Sequence, residues 1–151
     1  MCEKINVVMY TDGASSNNGK PNANGGYAAI LKCGTQEKII RGTKAGATNN
    51  QMELLAIIEG VKALKKPCEI TVFTDSKYVI DVAASMKECI SRGWINKSGK
   101  EIANKEMWVQ LIHVGKEGKH HITFQHIAGH SGITDNERAN WIAQEQAKKG
   151  A

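Results

Sequence analysis

The chain has 151 residues, 41% of them hydrophobic and 23% charged, which is the balance of a soluble globular domain with one core. No stretch approaches the roughly 20 consecutive apolar residues that a membrane span needs, so no membrane role is expected. The 20 Lys and Arg outnumber the 15 Asp and Glu, and the formal net charge of +5 is a weak indication of a polyanionic partner.

The first half of the chain predicts three strands, one loop and one helix. The strands are expected at 4–11, about 25–33 and about 36–44. The first strand stops at Asp12 and Gly13, and the turn-forming residues of 14–22 predict a loop after it. Residues 48–51 (Thr-Asn-Asn-Gln) match a capping box, which predicts the start of a helix that Pro67 must end.

The second half continues with strands and helices. Strands are expected at 69–74 and 121–126, and a helical pattern covers 86–117 with interruptions at 92–94 and 98–99. Ser76 follows the first of these strands and can cap a helix. Residues 134–137 (Thr-Asp-Asn-Glu) match a second capping box, which predicts a last helix through about Lys148.

This order of elements describes an α/β fold with a mixed sheet in one domain over 1–151. In such sheets, groups at the carboxyl ends of adjacent central strands converge on a crevice, and Asp12 and Asp75 both follow strand-like runs. Two neighbouring carboxylates repel each other unless a cation or a proton intervenes. The pattern therefore favours a metal site, and the alternative is that each Asp only caps the turn or helix after it.

Glu53 is a third candidate ligand. On a helical wheel it lies beside Ala56 and Ile57 at the margin of the apolar face, whereas Glu59 points to the solvent side. A carboxylate carried to the edge of a core needs a partner. That partner is a cation if the metal hypothesis holds, and neighbouring backbone if it does not.

Five segments carry short motifs in a fixed order. They are 10–13 (Tyr-Thr-Asp-Gly), 48–54 (Thr-Asn-Asn-Gln-Met-Glu-Leu), 73–79 (Phe-Thr-Asp-Ser-Lys-Tyr-Val), 129–132 (Gly-His-Ser-Gly) and 136–139 (Asn-Glu-Arg-Ala). They resemble the motifs of the type 1 ribonuclease H family, over nearly the whole chain. The resemblance implies a ribonuclease H-like fold, a five-stranded mixed sheet with its first three strands antiparallel and flanked by helices. It also implies endonucleolytic hydrolysis of the RNA strand of RNA–DNA hybrids, giving 5′-phosphate and 3′-hydroxyl ends.

The resemblance also implies a cofactor of two Mg²⁺ ions, for which Mn²⁺ is expected to substitute. It assigns Asp12 to both ions, and Glu53 and Asp75 to the ion nearer the leaving group. Hard oxygen ligands suit Mg²⁺, and two such ions can activate water and stabilise the departing oxygen. His130, in a glycine-flanked segment, is assigned to proton transfer or product departure, with a surface histidine as the alternative.

Asn140 departs from the family pattern. The family has a fourth carboxylate ten residues beyond the histidine of its Gly-His motif, where this sequence has Asn140. An amide oxygen can coordinate Mg²⁺, but the site loses one negative charge and some affinity for the ion that activates water. Two hypotheses stay open: a natural enzyme that works with a weaker first ion, and a residue changed deliberately so that cleavage is slow.

Polar residues near the candidate ligands are expected to bind the hybrid. They are Asn18, Thr48, Asn49, Asn50 and Lys77. Amide side chains can contact 2′-hydroxyls and base edges in a wide, shallow minor groove. The resemblance gives Asn18, Asn49 and Asn50 substrate contacts and Thr48 a contact with a DNA phosphate, whereas Lys77 matches the family less well. Turn or cap chemistry is the alternative for each.

The segment 91–100 resembles the family's basic protrusion, which packs on the DNA strand. Arg92, Lys97 and Lys100 would contact phosphates without sequence choice, beside the ring of Trp94. The alternatives are a solvated charged surface and, for Trp94, a place in the core.

The remaining expectations concern the setting of the protein. The chain start lacks the apolar segment of a secretory signal, so a cytoplasmic location is expected. The protein is also expected to be a monomer, and no separate hybrid-binding domain is expected within the 151 residues. The scattered cysteines favour reduced thiols over a zinc or redox motif. His120, His121 and His126 receive no role. Two other functions stay open: a hybrid-binding protein with little catalysis, and a related polynucleotide transferase or junction resolvase.

Overall fold

The computed structural model describes residues 5–96, 98–129 and 132–149. Its strands are β1 (Ile5–Ser16), β2 (Asn24–Cys33), β3 (Gln36–Ala45), β4 (Cys68–Thr74) and β5 (His121–His126). Its helices are α1 (Asn49–Lys62), α2 (Lys77–Ala84), α3 (Met86–Ser91), α4 (Lys105–Glu117) and α5 (Thr134–Lys149). None of the helices in these ranges is both long and apolar enough to span a bilayer.

The five strands form one mixed sheet in the order β3-β2-β1-β4-β5. Strand β2 is antiparallel to β1 and β3, and β4 is parallel to β1 and β5. The predicted sheet, with its first three strands antiparallel, is therefore confirmed. This order makes β1 and β4 neighbours at the centre, where they are paired in parallel.

Helices cover the sheet on both faces. Alternate residues of a strand point to opposite faces, so Ala29 and Leu31 of β2 join the main core, whereas Ala28 and Ile30 join a smaller core. The main core includes α1 and α4, and the smaller one is formed with α5. Helix α1 turns an apolar face toward the main core, since its residues Leu54, Ile57, Ile58 and Val61 are all buried.

Strand β1 is longer than predicted. It continues through Asp12 and Gly13 to Ser16, because its antiparallel pairing with β2 extends to the pair Ser16 and Asn24. Backbone pairing with β2 outweighs the turn-forming side chains of this stretch, so the predicted loop over 14–22 begins only after Ser16.

Two helix predictions also need correction. Residues 92–96 and 98–104, between α3 and α4, are non-helical and include a bridge between Ile95 and Glu101, whereas the sequence predicted only two short interruptions. Helix α5 begins at Thr134 itself, one residue earlier than a cap at Thr134 would give. Helix α1 ends at Lys62, ahead of Pro67, and Leu64 packs against the main core from beyond its end.

Candidate metal centre

The register of the two central strands brings two aspartates together. The last pair between β1 and β4 joins Tyr10 to Phe73, and continuing that register by two residues sets Asp12 opposite Asp75. Asp12 is buried within β1, where it still pairs with β2, and Asp75 is half-buried just after β4. The side-by-side arrangement expected from the sequence is therefore observed, although only Asp75 follows the end of its strand.

A glycine lets the third carboxylate reach this pair. A Cβ atom at Gly13 would lie 2.4 Å from the backbone nitrogen of Glu53, so only glycine allows α1 to pack this closely on β1. Glu53 is consequently carried to the sheet at 7% exposure, at the margin of the apolar face as predicted. Glu59, predicted to point to solvent, is partly exposed and pairs with Lys62 at 3.4 Å.

The three carboxylates form one cluster. Asp12, Glu53 and Asp75 each offer a ligand oxygen, and these oxygens all lie within 4.8 Å of one another. Burial, the charge of Asp12, a hydrogen bond with Asp12 and the charge of Asp75 together raise the pKa of Glu53 well above its ordinary value. Such crowding of buried negative charge is unfavourable without a cation or a proton.

The donor set fits a hard divalent cation. Among the described residues, Glu53 Oε2 is buried and has no hydrogen-bond partner, although buried carboxylate oxygens are normally satisfied. The cluster offers only oxygen ligands, which suit Mg²⁺ or Mn²⁺ better than the thiolate or imidazole sets of zinc sites. Asp12 Oδ1 also accepts a hydrogen bond from the Gly13 nitrogen at 2.9 Å, which fixes its orientation.

Asn140 contacts the cluster from the opposite side of the sheet. Its Nδ2 donates a hydrogen bond to Asp12 Oδ2 at 2.7 Å. An amide facing a carboxylate must present its N–H group, because two facing oxygens would repel each other. Asn140 therefore lies at the cluster, where it stabilises the charge of Asp12 as a hydrogen-bond donor.

Helix α5 is held in place so that Asn140 reaches Asp12. At Gly26 a Cβ atom would lie 2.3 Å from the backbone of α5, so this glycine allows the helix to approach β2. At the start of the helix, Arg138 donates to both carboxylate oxygens of Glu37, at 2.8 and 2.9 Å. Asp135 accepts from Arg138 at 3.0 Å and from Lys32 at 2.5 Å, which ties the first turn of α5 to β2 and β3.

Comparison with known proteins identifies the fold family. A family model described as RNase H matches residues 4–148. A Ribonuclease H of Erythrobacter litoralis is 42% identical over 142 residues, which cover 93% of this chain and 95% of that relative. A Ribonuclease H of Thermus thermophilus is 39% identical over 147 residues, which cover 96% of this chain and 86% of that relative. The chain belongs to the RNase H family.

Solved structures of RNase H proteins share the fold. One is LC9-RNase H1, described as a type 1 RNase H with the type 2 active-site motif. The match covers 100% of this chain and 76% of the LC9-RNase H1 chain, with a TM-score of 0.86 and 24% identity. Another is LC11-RNase H1, solved in complex with an RNA/DNA hybrid. The match covers 95% of this chain and 97% of the LC11-RNase H1 chain, with a TM-score of 0.72 and 21% identity. The predicted family, fold class and enzyme class are confirmed.

The predicted hybrid-binding residues of this RNase H chain lie around the start of α1. Thr48 caps the helix in a full capping box with Gln51, as predicted. Asn49 and Asn50 are exposed in its first turn, and the backbone nitrogen of Asn49 donates to Asn18 Oδ1 at 3.0 Å. Asn18 thus holds the preceding loop against the helix through its side-chain oxygen. Lys77 is exposed at the first residue of α2.

A hydrogen-bond network behind these residues was not predicted. Gln51 Nε2 lies 3.5 Å from Asn104 Oδ1, and Asn104 Nδ2 donates to the Tyr78 hydroxyl at 3.2 Å. The same hydroxyl accepts from Trp108 Nε1 at 3.1 Å and donates to the Ala103 carbonyl at 3.0 Å. The network joins the start of α1 to α2 and α4, so it fixes the capping box relative to Lys77. Gln51 and Tyr78 lie inside the sequence motifs, but nothing in the sequence singled out Asn104.

The predicted basic protrusion is a turn-rich connection on the surface. Arg92 and Lys100 are exposed, and the backbone nitrogen of Lys100 donates to Asn96 Oδ1 at 3.0 Å. Trp94 is only partly exposed and packs against the main core, which supports the structural alternative for its ring. Lys97 lies outside the described residues, so its substrate contact stays a prediction.

Two of the unassigned histidines have structural partners. His120 Nδ1 accepts from the Cys68 nitrogen at 3.1 Å, and His121 Nδ1 lies 2.7 Å from Glu69 Oε2. Neither histidine belongs to the carboxylate cluster. His130 lies outside the described residues, but its neighbour Gly129 lies beside Asp75, where an added Cβ atom would be 3.1 Å from Asp75 Oδ2.

Proposed function

We propose that this RNase H protein hydrolyses the RNA strand of RNA–DNA hybrids, using two Mg²⁺ ions and leaving 5′-phosphate and 3′-hydroxyl ends. One observation carries the proposal: three carboxylates from distant parts of a chain of this family lie with ligand oxygens within 4.8 Å of one another. Relatives named Ribonuclease H and a related fold in complex with an RNA/DNA hybrid support the reaction and the substrate.

The carboxylates would hold the cations. Asp12 would contact both ions, and Glu53 and Asp75 would bind the ion on the leaving-group side. When bound, the ions supply an activated water and neutralise charge that develops on the departing oxygen. Asn140 keeps Asp12 oriented through its hydrogen bond. His130 would assist proton transfer or product departure.

The start of α1 would bind the hybrid beside this centre. Asn49 and Asn50 are exposed, and both can donate and accept hydrogen bonds, which suits the sugar edges of a minor groove. Asn18, Thr48 and Lys77 surround them, and Thr48 or Lys77 would contact a phosphate.

A cleavage assay tests the proposal. A hybrid labelled on its RNA strand, double-stranded RNA and double-stranded DNA are each incubated with Mg²⁺ and then with Mn²⁺. Only the RNA of the hybrid should be cut, and product RNA should carry a 5′-phosphate that ligase accepts. Asp12→Asn should be inactive, whereas Asp81→Asn, which removes an exposed carboxylate of α2 outside the cluster, should cleave normally.

Asn140 supports one second candidate, a hybrid-binding protein with little catalysis. An amide at this position leaves the cluster with three carboxylates. In the same assay, a shifted band with intact RNA under both metal ions would favour this candidate and contradict the proposed hydrolase. Cleavage of pure DNA would instead favour a related resolvase or transferase.

The basic protrusion provides a separate prediction. If Arg92 and Lys100 contact phosphates, replacing both with Ala should weaken hybrid binding and lower the slope of log K against log salt by about two, one for each lost contact. Binding is measured by fluorescence anisotropy at several KCl concentrations, with Lys38→Ala and Lys44→Ala on exposed β3 as charge-matched controls. An unchanged slope would remove the protrusion from the interface.

A further inference from the structure

We infer that the scissile RNA strand continues from the carboxylate centre along α5, where Gln144 and Lys148 contact its backbone. The inference rests on the proposed hydrolysis of hybrids and extends it to a part of the chain that no sequence motif indicated. It assigns Lys148 as a phosphate contact and Gln144 as a sugar contact.

A continuous groove leads away from the centre. Its floor is the last part of β1, residues 13–16, and one wall is the start of α1 with Asn49 and Glu53. The other wall is α5, which contributes Asn140, Gln144 and Lys148. Because Glu53 belongs to the carboxylate cluster, the groove opens directly from the place where the scissile phosphate would lie.

The wall residues share one face of the helix. Asn140, Gln144 and Lys148 are spaced by four residues, so their side chains lie in a row, and at about 1.5 Å per residue the row is about 12 Å long. A strand whose scissile phosphate lies at Asp12 would therefore pass Gln144 before Lys148. The small residues 13–16 of the floor (Gly-Ala-Ser-Ser) leave room for a sugar–phosphate backbone.

The chemistry of the row suits an RNA strand. Gln144 is exposed and can both donate to and accept from a 2′-hydroxyl. Lys148 carries an exposed charge: its side chain is 73% exposed, and its ion pair with Glu145 at 3.6 Å is of the weak surface type. Lys149 is the next residue and is equally charged and exposed, but it does not line the groove.

The two neighbouring lysines give a matched test. Lys148→Ala and Lys149→Ala are compared with the wild-type protein for hydrolysis of a labelled hybrid with Mg²⁺ at several KCl concentrations. Lys148→Ala should raise KM by about 3- to 10-fold, leave kcat within about twofold and lower the slope of log KM against log salt by about one. Lys149→Ala should leave both KM and the slope unchanged.

Equal behaviour of the two lysine variants, whether both weaken binding or neither does, would overturn the inference. Gln144→Ala provides a second measurement, since loss of a 2′-hydroxyl contact should weaken binding to the hybrid more than binding to a DNA duplex; equal weakening of both would contradict the sugar contact. Cleavage by the wild type in the same experiment distinguishes failure of the proposed function from failure of this inference. An inactive wild type contradicts the proposed function. An active wild type, with equal KM and salt slope for the two lysine variants, contradicts only the path along α5.

Discussion

Replacing Glu53 with Gln is expected to lower the rate of hybrid hydrolysis by about 10³-fold and to raise the free energy of unfolding of the metal-free protein by about 1–3 kcal/mol. Activity falls because one of three clustered carboxylates is lost. Stability rises because the buried Glu53 carboxylate, with one oxygen unpartnered among the described residues, is replaced by a neutral amide that can donate to Asp12.

The stability gain should depend on pH. Burial and the charges of Asp12 and Asp75 raise the pKa of Glu53 in the folded, metal-free protein above the ordinary value of 4.5. A raised folded-state pKa contributes stability that is complete below the unfolded-state pKa and is lost as pH rises through the folded-state pKa. The advantage of Glu53→Gln over the wild type should therefore be small near pH 4 and should grow toward neutral pH.

Urea unfolding in EDTA, and again in Mg²⁺, measures both effects. In Mg²⁺ the wild type should regain stability and the advantage of the variant should shrink, because the cation neutralises the cluster. Glu106→Gln, which changes an exposed carboxylate of α4, serves as the control and should alter neither activity nor the response to Mg²⁺. A variant that is less stable than the wild type in EDTA at neutral pH would contradict the repulsion on which the metal assignment depends.

Replacing Asn140 with Asp is expected to have the opposite balance of effects. At limiting Mg²⁺ the cleavage rate should rise by roughly tenfold or more, because one added negative charge about 4 Å from a divalent cation is worth about 2–8 kcal/mol between the dielectric constants of water and a protein surface. The metal-free fold should lose about 1–3 kcal/mol, since the hydrogen bond from Asn140 to Asp12 at 2.7 Å becomes a contact between like charges.

A Mg²⁺ titration of cleavage rate and of melting temperature tests this second prediction. Asn140→Ala is the informative control: it also removes the hydrogen bond to Asp12 but adds no charge, so it should not accelerate cleavage. Equal rates and equal metal dependence for the wild type and Asn140→Asp would show that the side chain at position 140 does not contribute to cation binding. That outcome would also remove Asn140 as a reason to expect weakened catalysis.

Local sequence patterns predicted most of the secondary structure correctly. The capping box predicted over 48–51 is observed. The backbone nitrogen of Gln51 donates to Thr48 Oγ1 at 3.2 Å, and the backbone nitrogen of Thr48 donates to Gln51 Oε1 at 3.0 Å. Ser76 likewise accepts from the Val79 nitrogen at 3.2 Å. These interactions join residues three apart, so the sequence contains all the information that they need.

Boundaries set by distant partners were predicted less well. Residues 14–16 (Ala-Ser-Ser) were predicted to lie in a loop, yet they continue β1 because β2 pairs with them. The start of α5 differs by one residue from the cap expected at Thr134, and its first turn is held by Lys32 and Glu37 from the other end of the chain. Composition cannot reveal such pairing, because it depends on which strand or helix becomes the neighbour.

Sequence patterns alone established the class of fold, the order of its elements and, through the resemblance of its motifs, which carboxylates to suspect. The three-dimensional packing brings these carboxylates together, since the register of β1 on β4 aligns Asp12 with Asp75 and the missing side chain of Gly13 admits Glu53. It also decided that Asn140, 128 residues from Asp12, donates to it. The physical reason is that charge clusters form where backbone pairing and close helix packing bring distant residues within a few ångströms, and no local pattern encodes those distances.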